Sequence, residues 1–375
     1  MTSLDAAPDD RVVARSEIVL DPPVNDRGPD RPRTLGRRTV DDTASLVGAG
    51  AASIALSWLL YTRVFAWSGK LGLALFTYAL FLLLFGIVTA MGNDRPTVVE
   101  RLTAAVITGG ASVVGLALVS TVSFIFVRAL PALQHVNFYT HDMSGVRPTS
   151  PLTQGGVLHA ELGSAIEVGI AIAISLPLGI GTAVYMTEVG GRLSTYVRTV
   201  VEAMTALPDI LAGLFVYTVL IIGFHAERTG LAAALALAVT MVPIIARSAE
   251  VVLRLVPAGL REASLALGAS QWQTVRRVVL PTAKSGLATA LILGIARIAG
   301  ETAPLLIVSG ASTFRNTDPL HNPMNSLPLY IFSAVRSGEP FFIARGYGAA
   351  AVLLTIVLLL FTTTRFLARD KGRAR

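Results

Sequence analysis

Residues 71–90, LGLALFTYALFLLLFGIVTA, run for twenty positions without a charged side chain. A helix needs about 20 apolar residues to cross the hydrocarbon core. In lipid every backbone N–H and C=O must also be satisfied within the segment, so this stretch has little choice but a spanning helix. Seven further apolar segments accompany it, at roughly 44–62, 103–127, 167–187, 208–224, 229–246, 287–309 and 347–364. Together they predict an all-α fold, a polytopic integral membrane bundle of about eight transmembrane helices. Only 15% of the 375 residues are charged, against about 25% in soluble domains. Asp209 leaves 208–224 a short uncharged run, so a pair of short or re-entrant segments is the alternative there. Residues 1–43 lack any periodicity that could bury a face and read as a disordered tail. The first apolar segment lies beyond that tail, which is not the layout of a cleaved signal peptide.

Eight spans put both termini on one side. With the termini inside, the inward segments hold 22 Lys and Arg and the outward segments 8, and Arg297 lies within a span. The positive-inside rule therefore makes both termini cytoplasmic. Segment 247–286 becomes an inward loop with six basic residues, while 128–165 and 310–346 face outward. The net charge of +7 is read as membrane orientation rather than nucleic-acid binding. The chain has no cysteine, which excludes disulfides and a thiol nucleophile. His135, His141, His159, His225 and His321 do not have metal-ligand spacing, so no metal site is expected. No phosphate-cradling GxxxxGK[ST], GxGxxG, HExxH or GxSxG string occurs, so neither an ATPase nor a protease is expected. The glycine pairs in GAGAAS (48–53) and GIGTAV (179–184) read as helix-packing positions.

The inward loop carries REASLALGASQWQTVRRVVLP (261–281). Pro257 suits a first helical position, 258–267 favours helix, and Gly268 stands where a left-handed residue ends a helix. A second run from Ser270 to Leu280 is expected to stop at Pro281. Leu260, Ala263 and Leu267 form one apolar stripe, with Arg261, Glu262 and Gln271 off it. Such an element either lies on anionic lipid or docks into a partner's groove.

The order Glu262-Ala263-Ser264, three residues, Gly268, nine residues, then Val278-Val279-Leu280-Pro281 resembles the EAA loop of type 1 ABC importer permeases, with Ser for the second Ala and Val for Ile. The resemblance implies a bacterial cell-membrane subunit whose loop 257–283 inserts into a separate ATPase, with Glu262, Ala263, Leu267, Gly268 and Pro281 as coupling positions. It extends to the PLG-x-x-x-AVY-x-x-E pattern ending at Glu188, to ALPDILAGLFVY (206–217), and to ARIAGETAPLL (296–306) followed by NSLPLYIF (325–332). The last two strings are similar to the A-type permease of the bacterial phosphate importer. On that likeness 160–366 is the type 1 transmembrane domain, 103–130 its first core helix, 44–90 two additional helices and 367–375 a basic cytoplasmic tail. The implied partners are a second, C-type permease, two copies of a cytoplasmic ABC ATPase and an extracytoplasmic phosphate-binding protein. ATP and Mg would sit on the ATPase, and this chain would hold no cofactor.

Arg297 and Glu301 fall inside span 287–309, where a bare charge costs about 2.5 kcal/mol or more. On a continuous helix Gly294, Arg297, Glu301 and Pro304 share one stripe, which should face the bundle interior. Two readings compete for the pair: a neutralised lock between helices, or a path in which the Arg297 fork meets phosphate oxygens and Glu301 keeps the anion from binding too tightly. Arg-before-Glu is the weaker order along a helix, so further partners are expected. Glu167 and Glu188 bracket a span and read as interfacial, Asp209 as a helix cap, and Arg198–Glu202 as an i,i+4 pair. Pro177, Pro243 and Pro304 read as kinks. The nearest alternative function is a permease for sulfate, molybdate or phosphonate. A stand-alone secondary transporter or channel is more distant and leaves the 261–281 loop unexplained.

Overall fold

The computed structural model describes residues 40–369; the expected tails, 1–43 and 367–375, lie outside them except for 40–43 and 367–369, which are helical. The described residues are helical, with seven helices long and apolar enough to span a membrane, or eight if one bent pair counts as a span. The chain divides into two units, one ending at Gly115 and the other beginning at Leu116.

The first unit contains α1 (Val40–Trp58), continued by a wide i→i+5 turn (Leu59–Val64), then α2 (Lys70–Gly92) and the start of α3 (Arg95–Leu133). The buried residues are Ala49, Ser53 and Ser57 on α1 and Tyr61 in the wide turn, one row at every fourth position. Small side chains there let helices approach closely. Ser57 Oγ accepts from Thr77 Oγ1 of α2 at 2.7 Å. Among the described residues the glycines of GAGAAS pack on nothing: a Cβ added at Gly48 or Gly50 would meet nothing within 4 Å.

The second unit is built round α5 (Leu158–Val184) and α8 (Gly230–Arg254). All the buried residues on α5 but Ala160 fall on one i+4 row: His159, Gly163, Glu167, Ala171, Ser175, Gly179 and Ala183. An alanine-rich α8 packs against it. A Cβ at Gly179 would lie 2.7 Å from Ile245 Cγ2, and Ser175 Oγ donates to Ala238 O at 3.3 Å. Around this pair stand α6 (Gly191–Ala206), α7 (Asp209–Val216), α9 (Ala258–Ala266), α10 (Gln271–Thr274), α11 (Leu280–Ile298), α12 (Ala303–Val308), α13 (Leu327–Arg336) and α14 (Pro340–Arg369), with a short α4 (Asn137–Thr140) before α5. Wide turns follow α5 (Tyr185–Val189), α7 (Tyr217–Gly223) and α10 (Val275–Val279).

Several expectations change. Segment 208–224 holds one helical stretch, Asp209–Gly223, which does not pass as a span alone. It forms a bent pair with α6, as the alternative expectation allowed, the two meeting at 102°, where Pro208 disfavours helix in the residue before it. Span 287–309 is broken after Ile298, and Pro304 is not a kink but sits at the start of α12. Its missing N–H costs nothing at a helix start. Pro281, by contrast, does not stop a helix; the wide turn at 275–279 leads straight into α11, with Pro281 in its first turn. Pro177 and Pro243 do lie inside helices. His159 is in the first turn of α5 and buried rather than on a loop.

Loop 310–326 closes one end of the second unit. Met143 N donates to Thr313 O at 2.9 Å and Leu231 N to Pro319 O at 2.7 Å. Asp142 Oδ2 accepts from Arg315 N at 2.9 Å and its Oδ1 from Ser144 N at 3.1 Å. Burial opposes the charge on Asp142, but these N–H donors outweigh it and hold the carboxyl below its ordinary range. A depressed carboxyl stabilises above its unfolded pKa and releases as pH falls through the folded one, so this staple loosens only in acid. Arg345 is buried and its Nη2 donates to the carbonyls of Ser150, Pro151 and Gln154.

Glu167 is not interfacial but fully buried. Its Oε1 lies 2.9 Å from Ser309 Oγ, which also reaches Met324 O at 2.5 Å, tying loop 310–326 to α5. No cation partners Glu167 among the described residues, and Oε2 has no hydrogen-bond partner. A buried carboxylate without a cation is unfavourable, so an uncharged isostere loses little. Glu167→Gln is expected to stay within about 1 kcal/mol of the parent. Glu167→Ala leaves a void and strips Ser309, and should cost about 2 kcal/mol or more. Thermal unfolding of the purified protein checks both; equal losses would refute this account of the contact.

Candidate functional site

Two of the charged clusters on the second unit carry the candidate residues. In the first, Arg297 Nη2 lies 3.2 Å from Asp209 Oδ2, and its Nε lies 3.7 Å from Glu301 Oε1. Arg297 is on the last turn of α11, Glu301 is in the break before α12 and Asp209 opens α7. The contact between α7 and α12 makes this meeting possible: a Cβ at Gly213 would lie 2.6 Å from Pro304 Cα. Only glycine lets those backbones come so close. Gly294 packs on α8, where a Cβ would lie 3.3 Å from both Ile245 and Met241.

The stripe expected through Gly294, Arg297, Glu301 and Pro304 does not exist as a helical face, because the helix ends at Ile298. Nor does Arg297 face the interior of its own bundle. Its side chain is 54% exposed and helps line a cavity of about 660 Å³ with Pro208, Asp209, Phe215, Thr240 and Ser248. Asp209 is the further partner that the weak Arg–Glu order called for, and it does so in place of capping; the cap position of α7 is Pro208. The arrangement holds one guanidinium between two carboxylates beside an open cavity.

Nearby, Arg198 and Glu202 do not pair with each other. Arg198 reaches Glu250 at 2.9 Å, and Arg247 reaches Glu202 at 3.4 Å and Glu250 at 2.9 Å. Arg254 completes this knot at 2.7 Å from Glu250. Across 52 positions of sequence, α6 is thereby tied to α8.

The second cluster is the loop around α9. Helix α9 ends into Gly268, whose φ is +82°, and Ala269 N returns to Ser264 O at 3.2 Å. Ser270 then caps α10 with Gln273 in a reciprocal capping box. Ser264 Oγ and Thr274 Oγ1, 2.8 Å apart, close the two helices on each other. Glu262, Ala263, Leu267, Gly268 and Pro281 are all exposed; Leu267 is 89% exposed and Leu260 43%. The stripe of Leu260, Ala263 and Leu267 is therefore left open by the described chain, Leu267 most of all. Arg261 and Glu188, which sequence reasoning left at the margin, form a bidentate pair at 2.8 and 3.1 Å.

Residues 175–370 match the family described as binding-protein-dependent transport system inner membrane component. The chain is 38% identical over 253 residues to phosphate transport system permease protein PstA 1 of Mycobacterium tuberculosis, covering 66% of this chain and 82% of that protein. It is 33% identical over 249 residues to the phosphate transport system permease protein PstA of Haemophilus influenzae, covering 66% of this chain and 86% of that protein. Among solved structures it is similar to a chain of the MetNI methionine ABC transporter in an inward-facing conformation, at 24% identity and a TM-score of 0.45, covering 57% of this chain and 93% of that one.

Proposed function

The chain belongs to the family of binding-protein-dependent transport system inner membrane components, and on that footing we propose that it is a permease subunit carrying inorganic phosphate in an ABC importer. The observation that carries this reading is the Arg297 cluster beside its cavity, in a chain whose relatives are phosphate permeases. Membership sets aside the stand-alone secondary transporter.

A half-exposed guanidinium at membrane depth cannot face lipid without a large penalty. It must be covered by protein or line a wet path. Both are met if a second, C-type permease faces α7 and α11 and the cavity becomes part of the route between them. Arg297 then offers its fork to phosphate oxygens, while Asp209 and Glu301 compete for the same donors and limit how tightly the anion is held.

We read the end bearing α9 as cytoplasmic, with both chain termini on that side of the bacterial cell membrane, in line with the excess of Lys and Arg there. Two copies of an ATPase would supply ATP and Mg, and one would receive the exposed face of Leu260, Ala263 and Leu267, with Glu262, Gly268 and Pro281 fixing the loop. An extracytoplasmic phosphate-binding protein would dock at the other end, on loop 310–326 and its neighbours. This chain performs no covalent chemistry in the cycle.

The test is uptake of labelled phosphate at low external concentration in cells lacking the gene, with sulfate and molybdate as parallel tracers. Phosphate uptake alone should be lost and be restored by the intact gene. Loss of a different anion would move the assignment to that substrate. A copy carrying Gly268→Pro, which cannot adopt the +82° backbone, should restore no more than about a tenth of the rate at normal membrane levels. Full restoration by that copy would refute the coupling role of the loop.

A further inference from the structure

Helix α9 buries none of its residues. Between it and the bundle lies a cavity of about 600 Å³, lined by Thr187, Glu188, Arg254, Arg261, Leu265 and Gln271 among others. Apolar packing therefore does not fix this helix to the spans, and a few polar contacts must do so.

Most of them belong to one side chain. Arg261 Nη2 donates to Glu188 Oε1 at 2.8 Å and Nε to Glu188 Oε2 at 3.1 Å. On its other edge Nη1 donates to Val256 O at 2.6 Å and Nη2 to Leu253 O at 2.9 Å. The two carbonyls belong to the C-terminal end of α8 and the segment just after it, where helix carbonyls lose their i+4 partners; Leu253 O otherwise receives only the long 3.3 Å contact from Val256 N and the cap N–H of Leu255. Glu188 sits in the wide turn that ends α5, and its side chain is only 7% exposed. From the far flank of the loop, Gln271 Nε2 donates to Glu188 O. One planar fork thus joins α9 to both α5 and α8, and Glu188 is gripped from both sides of the loop. An exposed single-point ion pair contributes little. A shielded bidentate pair with further carbonyl partners is stronger and directionally specific.

We propose that the Arg261–Glu188 pair is the pin that transmits movement of α9 to α5 and α8, which makes both of them positioning residues for coupling ATP hydrolysis to transport. This rests on the importer reading above. A force on α9 would otherwise be absorbed in the cavity beneath it. Along the chain α9 continues only into α8, through residues 255–257, and into α10 and α11; the pin adds α5, which has no such connection to α9, and braces the junction with α8.

The complex with its partner permease, ATPase and binding protein, in proteoliposomes, tests this through the phosphate accumulated per ATP hydrolysed. Glu188→Gln keeps the shape and removes the charge. Arg261→Lys keeps the charge and cannot serve Glu188 and both carbonyls at once. Each should lower that ratio about fivefold or more, while co-purification shows the ATPase still attached. A merely structural residue would lower transport and hydrolysis together and leave the ratio alone. A ratio at the wild-type level in both variants overturns the proposal. So does loss of the ATPase from both, since the pair would then be needed for assembly instead of transmission. A wild-type complex whose ATP hydrolysis ignored phosphate and its binding protein would sink the phosphate reading instead, and the same ratio would be scored with the anion that does stimulate it.

Discussion

Replacing Arg297 by glutamine is expected to lower phosphate uptake about a hundredfold or more. The loss should exceed that of one contact, because Asp209 and Glu301 remain behind. Without the guanidinium 3.2 Å from Asp209 and 3.7 Å from Glu301, two carboxylates face the cavity with no cation between them. An arriving phosphate would then meet net repulsion where it had met a donor fork. Arg297→Lys, which keeps the charge and loses the bidentate geometry, should fall between the two. Uptake by cells with matched membrane levels of each variant decides it. Rates within threefold of wild type for the glutamine variant would mean that the cluster only locks α7 to α11.

The second large effect is expected at Gly213. A Cβ there meets backbone rather than a side chain, 2.6 Å from Pro304 Cα and 2.7 Å from Pro304 O. Backbone at a helix start cannot swing aside, so Gly213→Val must push α7 off α12. That overpacking should cost about 3 kcal/mol or more, and it would draw Asp209 away from Arg297 as well. Stability in detergent and phosphate uptake should therefore fall together. Gly181→Ala is the matched control on α5. Its Cβ would meet nothing within 4 Å, and alanine in a helix interior gains about 0.5–1 kcal/mol over glycine. A Gly213→Val protein as stable as the Gly181→Ala protein would contradict the close approach of α7 and α12.

Much of this architecture could be read from one dimension. Spans announce themselves by length and apolarity, and the loop at 261–281 by the fixed spacing of Glu262, Gly268 and Pro281. Gly268 was legible because a left-handed residue leaves a chemical trace. What stayed hidden were meetings between distant positions. Asp209 and Arg297 are separated by 88 residues, and Glu188 and Arg261 by 73; no periodicity encodes such distances. Burial of Glu167 was half visible, since it occupies a row of small residues at every fourth position of α5. A carboxylate in that row was read by its charge rather than by its neighbours. The break after Ile298 stayed hidden because the segment is apolar on both sides of it, and hydropathy is blind to a turn of four residues, Ala299–Thr302, with Gly300 in it.

The wide turns at 59–64, 185–189, 217–223 and 275–279 bear on how the chain tolerates changes in its own length. An i→i+5 turn houses one residue more than an α-turn. Deleting a residue there lets the turn tighten, and the helix beyond keeps its facing. The same deletion two turns further along α11 has no slack to draw on and would rotate Arg297 by about 100° away from Asp209. Single deletions within the spans are therefore admissible mainly at these four points, and elsewhere the register of the bundle is closed to them.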